Sequence, residues 1–177
     1  GGDDHGSRIG GRAMRRAWLA MVLILVVGCE GNKPPPSTDL QVGPHRIQVQ
    51  IPEGWERVNY GDRHLLRKER ALISIERIKW RGDDMDAAVS AGLKTLKEGE
   101  QRDEASRTPL TVGGKDAVLV ETWDRLSHNW PRRFLFVWSG QDFVVLYTMA
   151  GTVEEAEPVF KAFTASFAFA DSLEVAE

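Results

Sequence analysis

Two segments, Phe134-Leu135-Phe136-Val137-Trp138 and Phe143-Val144-Val145-Leu146-Tyr147, are apolar at every position and lie only four residues apart. A strand with one wet face alternates, because successive side chains point to opposite sides; short runs that do not alternate are covered on both faces. These strands, read as Arg133–Ser139 and Phe143–Met149, therefore belong at the centre of a sheet with a layer on each side.

Two segments have the spacing to supply those layers. In Asp83–Glu98, Met85, Val89, Leu93 and Leu96 recur at helical intervals, and Gly99 ends the run. Asp83 reads as its N-cap, with Asp84 and Asp86 in the first turn, where carboxylates suit the positive helix end. In Thr152–Phe167, Phe160, Phe163 and Phe167 form an aromatic stripe. Thr152 and Glu155 have capping-box spacing, and Pro158 is expected as the first regular helical residue.

The remaining elements read as strands. Ile47, Val49 and Ile51 alternate with Gln48 and Gln50, placing this strand towards a sheet edge. Short strands over Trp55–Tyr60 and His64–Arg67 flank Gly61-Asp62, and Ala71–Lys79 is longer. In the last, Ile73 and Ile75 share a face that Ile78 and Trp80 do not, so either a bulge intervenes or both faces are covered. Leu110–Val112 and Asp116–Asp124 are joined by Gly113-Gly114, a hairpin signal. The fold class is α+β: an antiparallel sheet flanked by helices.

Residues 14–28 have the order of an export signal, with Arg15 and Arg16 preceding the uncharged run Ala17–Val27. That run of 11 residues spans roughly 16 Å as a helix, about half of a hydrocarbon core. It fits a signal peptide of the general secretory type better than a membrane span. Val26-Val27-Gly28-Cys29 resembles a bacterial lipobox. The resemblance implies cleavage after Gly28 and covalent lipid, diacylglyceryl and N-acyl, on Cys29; stable anchoring requires more than one chain. Residues 1–13 read as a remnant upstream of Met14, and residues 29–39, with three consecutive prolines, as a lipidated cysteine and an extended tether to a single domain over 40–177. Cleavage before Cys29 leaves 149 residues, with 19 Lys/Arg and 24 Asp/Glu. The anchor is then lipid and not a polybasic patch, and the expected location is the cell envelope, facing the periplasm or exterior.

The order of elements also resembles the PsbP-like family. The carriers of the likeness are a strand closing in Pro52-x-Gly54-Trp55, a meander and one long helix. They continue with Val112-x-Gly114-x-x-Ala117 in a hairpin, two aromatic strands and a last helix ending Ser166-Phe167. The resemblance covers roughly residues 45 to 170. It implies an α/β/α sandwich, binding or assembly roles, and no shared catalytic set.

The chain offers little chemistry of its own. A net charge of −3 argues against a nucleic-acid binder, and a single cysteine forbids an internal disulfide, a Cys-rich zinc site or a Cys-x-x-Cys pair. No phosphate-binding loop, dinucleotide fingerprint, nucleophile elbow or zinc-protease motif occurs. His45, His64 and His128 have no ligand spacing, so no metal or other cofactor is expected. The expected function is non-enzymatic: binding or organising a protein partner of the envelope. The candidate contact is Leu126–Arg133, where His128, Trp130, Arg132 and Arg133 combine aromatic and cationic side chains on a loop. The alternative is a carrier holding a small apolar ligand or lipid between helix and sheet. Residues 63–81 are rich in Arg and Lys, a basic face for an acidic partner or an ordinary solvated surface.

Overall fold

The computed structural model describes residues 36–61, 63–82, 84–96, 102–125 and 131–170. In chain order these form β1 (Ser37–Val42), β2 (His45–Gln50), β3 (Glu56–Tyr60), β4 (Arg63–Lys68), β5 (Ala71–Ile78) and α1 (Met85–Leu96). There follow β6 (Arg102–Val112), β7 (Lys115–Asp124), β8 (Arg132–Trp138), β9 (Phe143–Ala150), α2 (Val153–Ser166) and the short β10 (Ala168–Phe169).

A seven-stranded sheet has the order β3-β4-β5-β9-β8-β7-β6, with every neighbouring pair antiparallel. Two meanders, β3–β5 and β6–β9, meet where β5 pairs with β9, and α1 lies between them in sequence. The continuous apolar runs are therefore central strands. Leu135, Val137, Val144 and Leu146 enter one core with Ile73, Ile75 and α2; Phe134, Phe136, Phe143 and Val145 enter a second core with Ala88, Val89 and Leu93 of α1. The two faces of β8 and β9 thus feed two separate cores, which is why neither strand alternates. Strand β5 does the same: Ile73 and Ile75 face α2 while Ile78 and Trp80 face α1, and its register shift lies at Leu72/Ile73, before these residues.

Four sequence expectations are corrected. The alternating strand β2 is no edge of the main sheet. It is the middle of a separate sheet, β1-β2-β10, whose Leu40, Val42, Ile47 and Val49 close the α2-side core. One face of β2 is wet, so it alternates, but both its edges are paired. Residues 37–39, expected in the tether, belong to the fold instead, because β1 begins at Ser37 and Asp39 already pairs with Gln48; residues 29–35 lie outside the described residues. In α1 the N-cap is Asp84, whose Oδ1 accepts the Ala87 N–H at 3.0 Å; Asp83 lies outside the described residues. Helix α2 starts at Val153 and Pro158 lies inside it. The Thr152–Glu155 capping box forms in both directions and sets the start. A cap contributes about 1 kcal/mol and burial of Phe160 and Phe163 about 2 kcal/mol each, which together outweigh the ~3 kcal/mol that an interior proline costs.

Candidate functional site

Among the residues expected to carry function, Gly28, Cys29, His128 and Trp130 lie outside the described residues. Arg132 and Arg133 open β8. Arg133 turns towards α2: its Nε donates to Glu121 Oε1 at 2.8 Å, a second N–H to Glu157 of α2, and its backbone N–H to Thr148 Oγ1 at 3.0 Å. Burial pushes the guanidinium pKa down, but the two carboxylates outweigh it and hold it above the ordinary value. Arg133 therefore clamps the sheet to α2. Arg132, on the opposite face by strand alternation, also has a partner within the protein.

The two edges of the main sheet differ. The outer edge of β6 carries Pro109, which cannot donate to a ladder, a register irregularity between Glu104 and Ser106, and the charged run Arg102-Asp103-Glu104. These are devices that block the addition of another strand. Strand β3 has neither the proline nor the irregular register, and its charges are confined to Glu56 and Arg57 at its start. It pairs with β4 in unbroken register from Glu56↔Arg67 to Tyr60↔Arg63, and all five of its residues are exposed. Val58 and Tyr60, which alternation puts on one face, are 37% and 69% exposed. Their cross-strand neighbours on that face are Leu65 and Arg63. The α1-side core includes no residue of β3 or β4, so this face of the sheet continues beyond the area α1 covers.

Behind that edge the face is rigidly built. Arg63 Nε donates to Ser74 Oγ at 2.9 Å, and its terminal nitrogen reaches Glu76 at 3.5 Å and the Tyr147 hydroxyl. Tyr147 stacks on Phe134 at a centroid distance of 5.6 Å. Burial and the neighbouring Glu76 push the Tyr147 phenol above its usual pKa, so it stays a neutral donor and acceptor. Arg67 bridges to Glu56 at 2.7 Å. The basic run 63–81 is accordingly dispersed. Arg63 and Arg67 are tied down on this face, and Arg77 points to the opposite core.

There Arg77 Nε donates to Asp142 Oδ2, while Asp142 Oδ1 meets His45 Nε2 at 2.5 Å and the Ser139 hydroxyl at 2.8 Å. Serine and histidine both address one carboxylate oxygen and not each other, which makes a structural knot between β2, β5 and the β8–β9 turn, not a proton relay. His64 is apart from it, donating through Nε2 to the Gln41 carbonyl at 2.8 Å. Among the described residues no group of three His, Cys, Asp or Glu side chains could hold a metal ion, and no helix is long and apolar enough to cross a membrane. The seam between α2 and the sheet is filled by Phe160, Phe163 and Phe167, and Gly92 of α1 lies so close to Phe136 that a Cβ there would be 2.8 Å from the ring.

No protein-family model matches the sequence, and no curated protein matches it. Among solved structures, cyanobacterial PsbP (CyanoP) from Synechocystis aligns with a TM-score of 0.54 at 12% identity, over 81% of this chain and 98% of that one. The fold is PsbP-like. Two further structures are more distant: the Ran-binding protein Mog1p of Saccharomyces cerevisiae (TM-score 0.49, 13% identity, 72% of this chain and 84% of that one) and LpqN, involved in cell envelope biogenesis of Mycobacterium tuberculosis (0.46, 15%, 75% and 90%). In this PsbP-like chain the open β3 edge was not readable from sequence. Val58 and Tyr60 are ordinary strand residues, and their exposure depends on which strand happens to be last in the sheet.

Proposed function

We propose that the chain is a non-catalytic binding module of the cell envelope, held by lipid on Cys29, that engages a protein partner through the free edge and outer face of β3. The observation that carries this reading is the contrast between the edges: β6 is blunted by proline and irregular register, while β3 keeps an unbroken register beside the exposed Val58 and Tyr60. Addition of a partner's extended strand supplies main-chain hydrogen bonds along such an edge, and alternate side chains supply specificity. The preorganised Arg63 fits the same role, since its guanidinium is held in place before any partner arrives. Nothing comparable favours the carrier, whose helix–sheet seams are occupied by the protein's own phenylalanines.

The test is capture from envelope extracts on the immobilised full chain, comparing wild type with Val58→Lys and Tyr60→Ser. Both positions are already exposed, so each substitution shifts stability by no more than about 0.5 kcal/mol. A defined protein retained by wild type and lost with either variant supports β3 as the contact. Equal recovery by all three rejects it, and loss only with Trp130→Ala moves the contact to the 126–133 loop.

A further inference from the structure

The α1 face of the sheet ends in a second feature, whose walls include no residue of β3 or β4. One row of side chains runs across four strands there: Ile78 of β5 pairs with Phe143 of β9, which pairs with Trp138 of β8. One step beyond the Ala117–Val137 pair, the register sets Asp116 of β7 beside Trp138. Trp80 and the first residues of α1, Asp84 and Met85, complete the walls of a cleft of about 300 Å³.

The chemistry of these walls is unusually one-sided. Trp138 and Trp80 are half-buried, and the Trp138 and Phe143 rings lie 4.8 Å apart between centroids. Besides the two indoles, the polar side chains lining the cleft are the carboxylates of Asp84 and Asp116, and among the described residues no Lys or Arg lines it. Asp84 spends one oxygen on the α1 cap, so the helix end is already neutralised and offers nothing to an anion. The Asp116 side chain is exposed and makes no hydrogen bond or ion pair among the described residues. The Trp80 indole nitrogen is a buried donor without an acceptor, covered by Gly82, where a Cβ would lie 3.1 Å from it. A buried donor left unmet beside a cleft marks the place as incomplete.

We propose that this cleft binds an organic ammonium group. The negative faces of two indoles and an uncommitted carboxylate attract a diffuse cation, and a quaternary ammonium, with no N–H donors, gives up its weak hydration readily in such surroundings. An oxygen two carbons from the nitrogen, as in choline, would supply the acceptor that the buried Trp80 N–H lacks. The same ammonium chemistry occurs on a free amino alcohol and on a zwitterionic lipid headgroup.

The test follows the indole N–H signals of Trp80 and Trp138 by nuclear magnetic resonance in the full chain during titration. The probes are choline, tetramethylammonium, the neutral isostere 3,3-dimethylbutan-1-ol, and phosphatidylcholine vesicles. Saturable shifts with choline at roughly 1–10 mM, none with the alcohol, and at least about fivefold weakening in Asp116→Asn are expected for an aromatic–carboxylate site. Trp138→Leu loses the response, while Trp123→Leu, an exposed indole outside the cleft, keeps it. A response to choline without vesicle binding assigns a free ligand, and vesicle binding that Asp116→Asn weakens assigns a headgroup. No saturable shift up to about 50 mM, an equal response to the alcohol, or indifference to Asp116→Asn overturns the proposal. Because Val58 and Tyr60 are not part of the cleft, either outcome leaves the β3 reading to its own test.

Discussion

Asp142 is only 2% exposed yet carries a charge, and three side chains converge on it. Burial alone pushes its carboxyl pKa up; hydrogen bonds from Ser139, Arg77 and His45 outweigh that and hold it below the ordinary 3.8. A depressed folded-state value means that the ionised form stabilises the fold above the unfolded-state pKa, and that this stability is lost as pH falls through the folded value. Asp142→Ala strands Arg77 and His45 and is expected to cost about 3 kcal/mol in urea unfolding at neutral pH. The gap between wild type and Asp142→Asn is expected to narrow as pH drops below about 4; a gap that stays constant to pH 2 contradicts the assigned charge state. None of this was visible in the sequence. Ser139-Gly140-Gln141-Asp142 reads as a turn, and His45 and Arg77 are 97 and 65 residues away from Asp142.

Elements were more readable, because their signals are local. Gly113 and Gly114 have φ of 56° and 72°, the left-handed pair that a two-residue hairpin requires, and Val112 pairs with Lys115, one residue before the expected start of the second strand. Their tolerances differ for a tertiary reason. A Cβ on Gly113 would lie 2.4 Å from the Phe167 carbonyl oxygen, whereas nothing lies within 4 Å of one on Gly114. Gly113→Ala is therefore expected to lower the melting temperature strongly, by an amount equivalent to at least about 3 kcal/mol, and Gly114→Ala by the cost of the left-handed backbone alone, about 1 kcal/mol. Equal effects in thermal unfolding would show that backbone conformation alone sets the penalty. The helices follow the same division. The Phe stripe and the Thr152–Glu155 box announce α2, but the core that makes Pro158 tolerable comes from β1, β2 and β5.

At the scale of the molecule, the prediction concerns the N-terminal segment. Cells labelled with a fatty acid are expected to incorporate it into wild type and not into Cys29→Ser, and only wild type is expected to enter the detergent phase on partitioning. Equal labelling, or wild type in the aqueous phase, removes the anchor from the proposed function and leaves the β3 surface untouched. The sequence by itself determined the layering, since runs such as Phe134–Trp138 and Phe143–Tyr147 demand cover on both faces and the helical stripes of α1 and α2 supply it. It also marked the Gly113-Gly114 hairpin, whose signal lies within a few residues, and it carries the lipobox-like Val26–Cys29 on which the proposed anchor rests. Only the tertiary structure decided that β5 joins β9, that β2 leaves the main sheet to centre a second one, and that β3 is left as the open edge. Pairing between distant strands depends on which apolar faces meet in space; an alternating or apolar pattern states how much of a strand is buried but not which strand lies beside it.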